Sequence, residues 1–182
     1  IMNIDFIYIL NIIGLIAFSV SGAFKGMKYH LDVLGVIVLG VMTALGGGII
    51  RDVLMNSRPA SLVNETDMYF AISIAVVAYI LGRRVHNYVT IIKFFDAAGL
   101  AVFTVMGAEK GISGGLGVIG VIIMGTLTGV AGGVIRDLFV NEVPFILKEE
   151  VYAMFCIIGS FLLWLLLNFS EIDRNIAVYI VI

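Results

Sequence analysis

Charged residues are scarce in this chain, and so are cysteine and proline. Lysine, arginine, aspartate and glutamate together make up 13% of the 182 residues, against about a quarter in a typical soluble domain. Hydrophobic residues make up 61%, and the mean hydropathy is +1.12. A chain with so little charge cannot cover a water-facing surface. This composition excludes a soluble globular domain and indicates an integral membrane protein.

The rarity of other residue types excludes several functions. With a single cysteine, Cys156, the chain cannot form an intrachain disulfide. The net charge of −2 offers no basic face, so we expect no nucleic-acid partner. The sequence has neither a histidine and cysteine ligand cluster nor a nucleophile paired with a base, and no Lys-Ser/Thr follows its glycine clusters as in a phosphate loop. We therefore expect no enzyme activity, no bound metal and no cofactor.

Long apolar runs, bounded by charged or turn residues, make up most of the chain. We predict that all of them are helices, because open strands would leave backbone groups unpaired in lipid. A helix needs about 20 apolar residues to span a bilayer core of roughly 30 Å, so residues 1–182 suit one all-α transmembrane domain of seven helices. The runs lie at Ile4 to Phe24, Val33 to Met55, Met68 to Gly82, Phe94 to Ala108, Val118 to Val140, Val151 to Asn168 and from Ile176 onward.

The two halves of the chain are copies of one another. Shifting the sequence by 85 residues aligns Asn11 to Leu62 with the second half without a gap, and 23 of 52 positions are identical. The identities form an ordered set of Gly, Arg, Asp, Asn and Pro, which chance similarity between apolar helices does not explain. We predict a first repeat at about 5–93, a second at about 94–170 and a seventh helix from about 174. Because each repeat has three spans, an odd number, the repeats are predicted to be inverted.

Basic residues near the loops predict how the chain is oriented. Six of them lie on one side of the predicted topology and three on the other, and the richer side is expected to be cytoplasmic. The N-terminus is then outside the cell membrane and the C-terminus is in the cytoplasm. The six are Lys25, Lys28, Arg83, Arg84, Lys93 and Lys148, and the three are Arg58, Lys110 and Arg174.

Glycine clusters interrupt the second and fifth predicted spans. The first cluster is Gly46 to Gly48, and its counterpart in the second repeat is Gly132 and Gly133, preceded by Ala131. Each glycine weakens a helix by about 1 kcal/mol relative to alanine and permits positive φ. We therefore predict that both helices are broken near the middle of the membrane. The alternative is close helix packing through small residues.

An Arg-Asp pair follows each glycine cluster. A charge inside the membrane costs several kcal/mol unless it is paired or hydrated, so these residues are candidates for a permeation path. Adjacent helical residues point about 100° apart. We therefore predict pairing across the repeats, or capping of the broken helix ends, with a purely structural ion pair as the alternative. The predicted path is lined by Thr43, Gly46, Gly47, Gly48, Arg51, Asp52, Thr128, Gly132, Gly133, Arg136 and Asp137, with Arg51 near Asp137 and Arg136 near Asp52.

Three further expectations concern polar and charged groups. The hydroxyl groups of Thr43 and Thr128 either line the path or bond to their own helix backbone. Asp96, which aligns with Asn11, is expected to cap the fourth predicted span at the interface, with the lining of a vestibule as the alternative. The lysines that end the first helix of each repeat, Lys25 and Lys110, are expected to extend to the membrane surface.

The paired glycine-rich segments with Arg-Asp, the duplicated three-helix unit and the additional last helix resemble the trimeric intracellular cation (TRIC) channel family, in particular its prokaryotic branch. The resemblance covers nearly the whole chain. It implies a homotrimer of seven-helix subunits in a membrane, each subunit with an hourglass pore between its second and fifth helices that conducts K⁺ and Na⁺. Its glycine-broken helices and charged pore residues correspond here to the two clusters and the Arg-Asp pairs. The lipid-contacting basic pocket of the animal members has no clear counterpart.

Two functions remain open from the sequence. The leading hypothesis is a passive cation channel, in which half-helix ends and backbone carbonyls replace ion hydration at a narrow waist. Such a channel requires that Arg51 and Arg136 be neutralised by aspartates or turned away. The alternative is an alternating-access transporter of a small polar solute such as glycine, because broken helices in inverted repeats also form midplane substrate sites. Some bacterial relatives resemble importers of small amino acids.

Overall fold

A computed structural model describes residues 4–82, 85, 87–148, 150–169 and 172–182 of the chain. Within these residues the secondary structure is helical, with no strand, and matches the predicted all-α class. Arg83 and Arg84, which contribute to the predicted orientation, lie outside the described residues. The helices are α1 (Ile4–Lys28), α2 (Val33–Leu54), α3 (Ala60–Val63), α4 (Thr66–Gly82), α5 (Tyr88–Ser113), α6 (Val118–Phe139), α7 (Glu150–Phe169) and α8 (Arg174–Val181), with a 3-10 turn at Phe145–Leu147.

Five of the described helices are long and apolar enough to cross a membrane. These are α1, α2, α5, α6 and α7. Helix α4 is also apolar but has 17 residues, or about 26 Å, slightly less than the roughly 30 Å of a bilayer core. Helix α8 has eight residues. The predicted count of seven spanning helices therefore stays a prediction.

The internal duplication is visible in the backbone conformation and in the residues that line the cavities. His30 and Gly115, which are 85 residues apart, both have positive φ at the ends of α1 and α5, and so do Asn56 and Asn141 after α2 and α6. The start of α5 and the end of α1 line one cavity, whereas the end of α5 and the start of α1 line another. Helices α1 and α5 therefore run in opposite directions, as inverted repeats require.

The predicted breaks in the second and fifth spans are wrong for this conformation. These spans are α2 and α6, and each is a continuous helix through its glycine cluster. The glycines instead allow close packing. A Cβ at Gly47 would overlap the carbonyl oxygen of Thr128, and a Cβ at Gly132 would overlap that of Thr43. The two helices thus cross backbone to backbone, which supports the alternative that the sequence left open.

Gly48 and Gly133 are not required for this crossing, whereas a Cβ at Gly46 would overlap the Ile135 side chain of α6. A Cβ at Gly48 would lie 3.9 Å from its nearest neighbour, the Arg51 side chain. A Cβ at Gly133 would lie 3.7 Å from the Arg136 and Asp96 side chains. These are ordinary contact distances. Each cluster therefore ends on a glycine that the packing does not require, next to a glycine that it does require.

We expect Gly47→Ala to destabilise the fold and Gly48→Ala to leave it unchanged or slightly more stable. The first substitution forces α2 and α6 apart, at a cost of about 1 to 3 kcal/mol for overpacking. The second adds a methyl group without a clash and favours the helix. Unfolding of the purified protein in detergent, followed by circular dichroism, measures both. Equal stability of the two variants would contradict the close crossing.

Candidate functional site

The crossing of α2 and α6 forms a narrow waist at the centre of the protein. Thr43 and Thr128 lie at the crossing, fully buried, one turn before Gly47 and Gly132. Their hydroxyl groups donate to the carbonyl oxygens of Leu39 and Met124 at 2.6 Å. In this conformation both threonines therefore bond to their own helix, which is one of the two roles that the sequence allowed.

A pair of phenylalanines closes the waist from the side of α1 and α5. Phe18 and Phe103 occupy equivalent positions in the two repeats, and their ring centroids are 5.2 Å apart. Each ring packs against a glycine of the other repeat, Phe18 on Gly99 and Phe103 on Gly14. The alignment of the two halves of the sequence shows that both positions are phenylalanine, but it does not predict that the two rings are in contact.

Small cavities lie on either side of the waist. One, of about 20 Å³, is lined by Phe18, Gly133 and the Arg136-Asp137 pair. The other, of about 30 Å³, is lined by the equivalent residues of the first repeat, including Phe103, Gly48 and the Arg51-Asp52 pair. Each volume is sufficient for a water molecule or two. The glycines that packing does not require, Gly48 and Gly133, therefore line these two small cavities.

A larger vestibule adjoins each small cavity. The first vestibule has a volume of about 120 Å³ and shares Asp96, Arg136 and Phe145 with the small cavity next to it. The second has about 460 Å³ and shares Asn11, Arg51, Ala60 and Asp67 with its neighbour. Vestibules and small cavities together outline an hourglass that is interrupted at the waist.

Arg136 is the largest fully buried side chain among the described residues, with 1% of its surface exposed. Its Nε and Nη2 atoms donate to Asp137 Oδ1 at 2.9 Å. Its Nη1 atom donates to Ser21 Oγ at 2.6 Å and also binds the carboxylate of Asp96. Two carboxylates thus neutralise a guanidinium in the membrane interior, where an unpaired charge would be prohibitive.

Arg51 has a simpler environment than its counterpart. Its Nε and Nη2 atoms contact Asp52 Oδ1 at 2.8 Å, and among the described residues no second carboxylate binds it. The predicted pairing of Arg51 with Asp137 and of Arg136 with Asp52 is therefore wrong. Each arginine folds back onto the aspartate that follows it, because the long side chain overcomes the angle between adjacent helical positions.

The second oxygen of each aspartate fixes the segment that follows the helix. Asp52 Oδ2 accepts from the backbone N–H of Ala60 at 2.9 Å, and Asp137 Oδ2 accepts from that of Phe145 at 2.8 Å. Ala60 begins α3, and Phe145 begins the 3-10 turn. The aspartates therefore cap the next short helices rather than the ends of broken ones.

Lys25 does not lie where the sequence predicted, and Asp96 is not an interfacial cap but lines the first vestibule, which is the alternative that the sequence allowed. Lys25 is 6% exposed and bridges Asp137 and Glu142, each at 2.9 Å, instead of extending to the membrane surface. Asp96 lies inside α5, two turns past the cap residue Asn87, and binds Arg136. Lys110, by contrast, is exposed. The position of Lys25 was mispredicted because its partner Asp137 lies on the other repeat.

Glu142 belongs to the loop after α6 and carries the remaining charge of this network. Burial raises its pKa, but the hydrogen bond from Lys25 and the nearby ammonium groups outweigh burial and hold the pKa below its usual range. Glu142 therefore stays ionised at mildly acidic pH. Among the residues that the structure describes, no group of three metal-ligating side chains occurs.

The chain is similar to proteins of known sequence along most of its length. A family model described as "Glycine transporter" matches it twice, at residues 8–83 and 93–168. A membrane protein of Deinococcus radiodurans, named UPF0126 membrane protein, is 42% identical over 160 residues, which cover 86% of this chain and 74% of the relative. The two matches of the family model lie 85 residues apart, the same interval as the internal repeat.

Solved structures with the same fold are described as cation channels. A prokaryotic TRIC channel crystallised in 0.5 M KCl superposes with a TM-score of 0.90 at 34% identity, covering 96% of this chain and 89% of that one. The trimeric intracellular cation channel orthologue from Rhodobacter sphaeroides superposes with a TM-score of 0.92 at 30% identity, covering 96% and 90%.

We expect Asp96→Asn to destabilise the fold by about 3 kcal/mol, because it removes one of the two carboxylates from a buried guanidinium. Ser21→Ala, which removes only a neutral acceptor from the same Nη1 atom, should cost about 1 kcal/mol. Reversible unfolding in mixed detergent micelles measures both values. A loss for Asp96→Asn no larger than that for Ser21→Ala would contradict the role of Asp96 as a counter-ion.

Proposed function

The chain belongs to the prokaryotic TRIC family, whose family model carries the description "Glycine transporter", and on that basis we propose that it is a passive channel for the monovalent cations K⁺ and Na⁺. The proposed pore runs through each subunit between α2 and α6. It joins the two vestibules through the small cavities and the waist. The observation that carries this proposal is the interrupted hourglass, whose two halves are lined by equivalent residues of the inverted repeats.

The charges along this path meet the requirement that a cation channel imposes on buried arginines. Arg51 is paired with Asp52, and Arg136 with Asp137 and Asp96. Unpaired guanidinium groups would repel a cation in the low-dielectric interior. With each arginine compensated, polar groups on both sides of the waist can face a permeating ion without a net positive barrier next to it.

Opening of the waist requires α2 and α6 to bend or separate. Gly48 and Gly133 have room around them, line the small cavities and weaken the helix where the path is closed. We therefore assign the predicted helix breaks to the open conformation and the continuous helices to the closed one. The remaining proposed lining residues are Thr43, Gly46, Gly47, Arg51, Asp52, Thr128, Gly132, Arg136 and Asp137.

The proposed channel works as a homotrimer in the cell membrane. The related protein from Rhodobacter sphaeroides is described as a trimeric intracellular cation channel orthologue, which supports this assembly. The four described basic residues of the richer side, Lys25, Lys28, Lys93 and Lys148, line one vestibule together. By the positive-inside rule this vestibule faces the cytoplasm, with the N-terminus outside and the C-terminus in the cytoplasm.

Transport of glycine by alternating access is the second candidate function. Two observations favour it: the description of the family model, and a waist that seals one vestibule from the other. In a carrier, rocking of one repeat against the other would open each vestibule in turn. A carrier would bind its solute near the waist and would never connect both sides at once.

Recordings from the purified protein in planar bilayers distinguish the two functions. A channel gives unitary currents in KCl gradients, with a reversal potential close to the equilibrium potential of K⁺. A carrier gives no unitary currents but shows saturable uptake of labelled glycine into proteoliposomes. Uptake without unitary currents would refute the channel.

We expect the double variant Gly48→Ala with Gly133→Ala to lower the open probability of the channel by roughly tenfold to thirtyfold. Each alanine favours the continuous helix by about 1 kcal/mol, and neither meets a clash in the closed state. Gly117→Ala is the matched control, because Gly117 lies outside the clusters and a Cβ there would have no neighbour within 4 Å. An unchanged open probability in the double variant would contradict opening by helix breaking.

A further inference from the structure

The two vestibules are equivalent in the repeats but unequal in charge. In the first vestibule, five cationic and two anionic side chains line the cavity: Lys25, Lys28, Lys93, Lys148 and Arg136, with Asp96 and Glu142. In the second vestibule, two cations and two anions do so: Arg51 and Lys110, with Asp67 and Glu109. The buried aspartate that pairs with each arginine adds one negative charge on both sides. Arg174, whose Nη1 atom lies 2.7 Å from Glu109, adds one positive charge beside the second vestibule. The first vestibule therefore exceeds the second by two positive charges.

Two lysines account for this excess. Lys28 corresponds to Ser113 in the other repeat, and Lys93 corresponds to Tyr8. Both counterparts line the second vestibule. These two equivalent positions therefore carry a positive charge in the first vestibule and no charge in the second. The two vestibules therefore differ in charge at equivalent positions, and the effect on ions follows from electrostatics.

Neither lysine is committed to holding the fold together. The ammonium group of Lys28 lies 3.6 Å from Glu142, but Lys25 already binds that carboxylate at 2.9 Å. Lys93 is exposed and lies 5.2 Å from the centre of the Phe145 ring. Their charges therefore act mainly on the vestibule and on whatever passes through it.

We propose that Lys28 and Lys93 make the pore rectify, by depleting cations at the first vestibule but not at the second. This inference rests on the proposed channel function. A positive mouth lowers the local cation concentration, so cations reach the waist less often from that side. One unit charge about 8 Å away in water changes the local concentration about twofold. Cation current from the second vestibule to the first is therefore larger than the reverse current.

The test is the current–voltage relation of single channels in symmetric KCl. At about 0.01 M salt the Debye length is about 30 Å, and we expect the currents at opposite voltages to differ by about fourfold. At about 1 M salt, where the Debye length is about 3 Å, the relation should become nearly linear. Channels inserted in opposite directions give mirror-image records of the same ratio.

Substitutions taken from the other repeat provide matched variants. Lys28→Ser and Lys93→Tyr should each reduce the low-salt rectification about twofold, and together they should nearly abolish it. Lys110→Ser, which removes a positive charge from the second vestibule, should increase the rectification about twofold. These opposite changes separate an effect of vestibule charge from a general disturbance of the pore.

Chemical modification restores or reverses the charge within one folded protein. In Lys28→Cys, a thiol reagent bearing an ammonium group should restore rectification, and one bearing a sulfonate should reduce it below that of the unmodified variant. The native Cys156 is buried, and treatment of the unsubstituted protein controls for its reaction.

Linear currents at low salt in the unsubstituted channel would overturn this inference and leave the channel function intact. Absence of unitary currents would instead contradict the proposed function, and this inference with it.

Discussion

The direct contact between the backbones of α2 and α6 is the constraint on which the rest of the structure depends. Gly47 lies against the carbonyl of Thr128, and Gly132 against that of Thr43. With the helices this close, no space remains at the centre, so open volume collects in the vestibules at either end. The same contact brings Phe18 and Phe103 together, because the helices that carry them pack around the crossing.

The Arg-Asp pairs show how a membrane interior accommodates charge beside such a crossing. Each aspartate neutralises its neighbouring arginine with one oxygen and holds a backbone N–H of the following segment with the other. The charged groups therefore compensate one another and anchor the chain where it leaves the helix. On each side of the waist, one carboxylate therefore both neutralises the arginine and fixes the position of the following segment.

The all-helical membrane fold could be predicted from the sequence, because apolar length and self-similarity are properties of the chain alone, whereas the count of seven spans stays a prediction. The sequence did not predict continuous helices at the clusters, since glycine permits both unwinding and close approach, and only the neighbouring backbone decides between them. The ion-pair partners of Asp96 and Lys25 were not predicted, for a related reason. Their partners Arg136 and Asp137 lie in another helix, and in the case of Lys25 in the other repeat, so no local spacing identifies them.

The reciprocity of the crossing has a consequence for how such a protein could arise. Position 47 meets 128 as 132 meets 43, so each half gives the other the contact that it receives. An isologous interface of this kind needs no covalent link, and two identical half-length chains inserted in opposite directions could form the same closed waist. Such a dimer, however, must carry identical side chains at both mouths. In a fused chain the two halves can differ in sequence, so one vestibule carries Lys28 where the other carries Ser113.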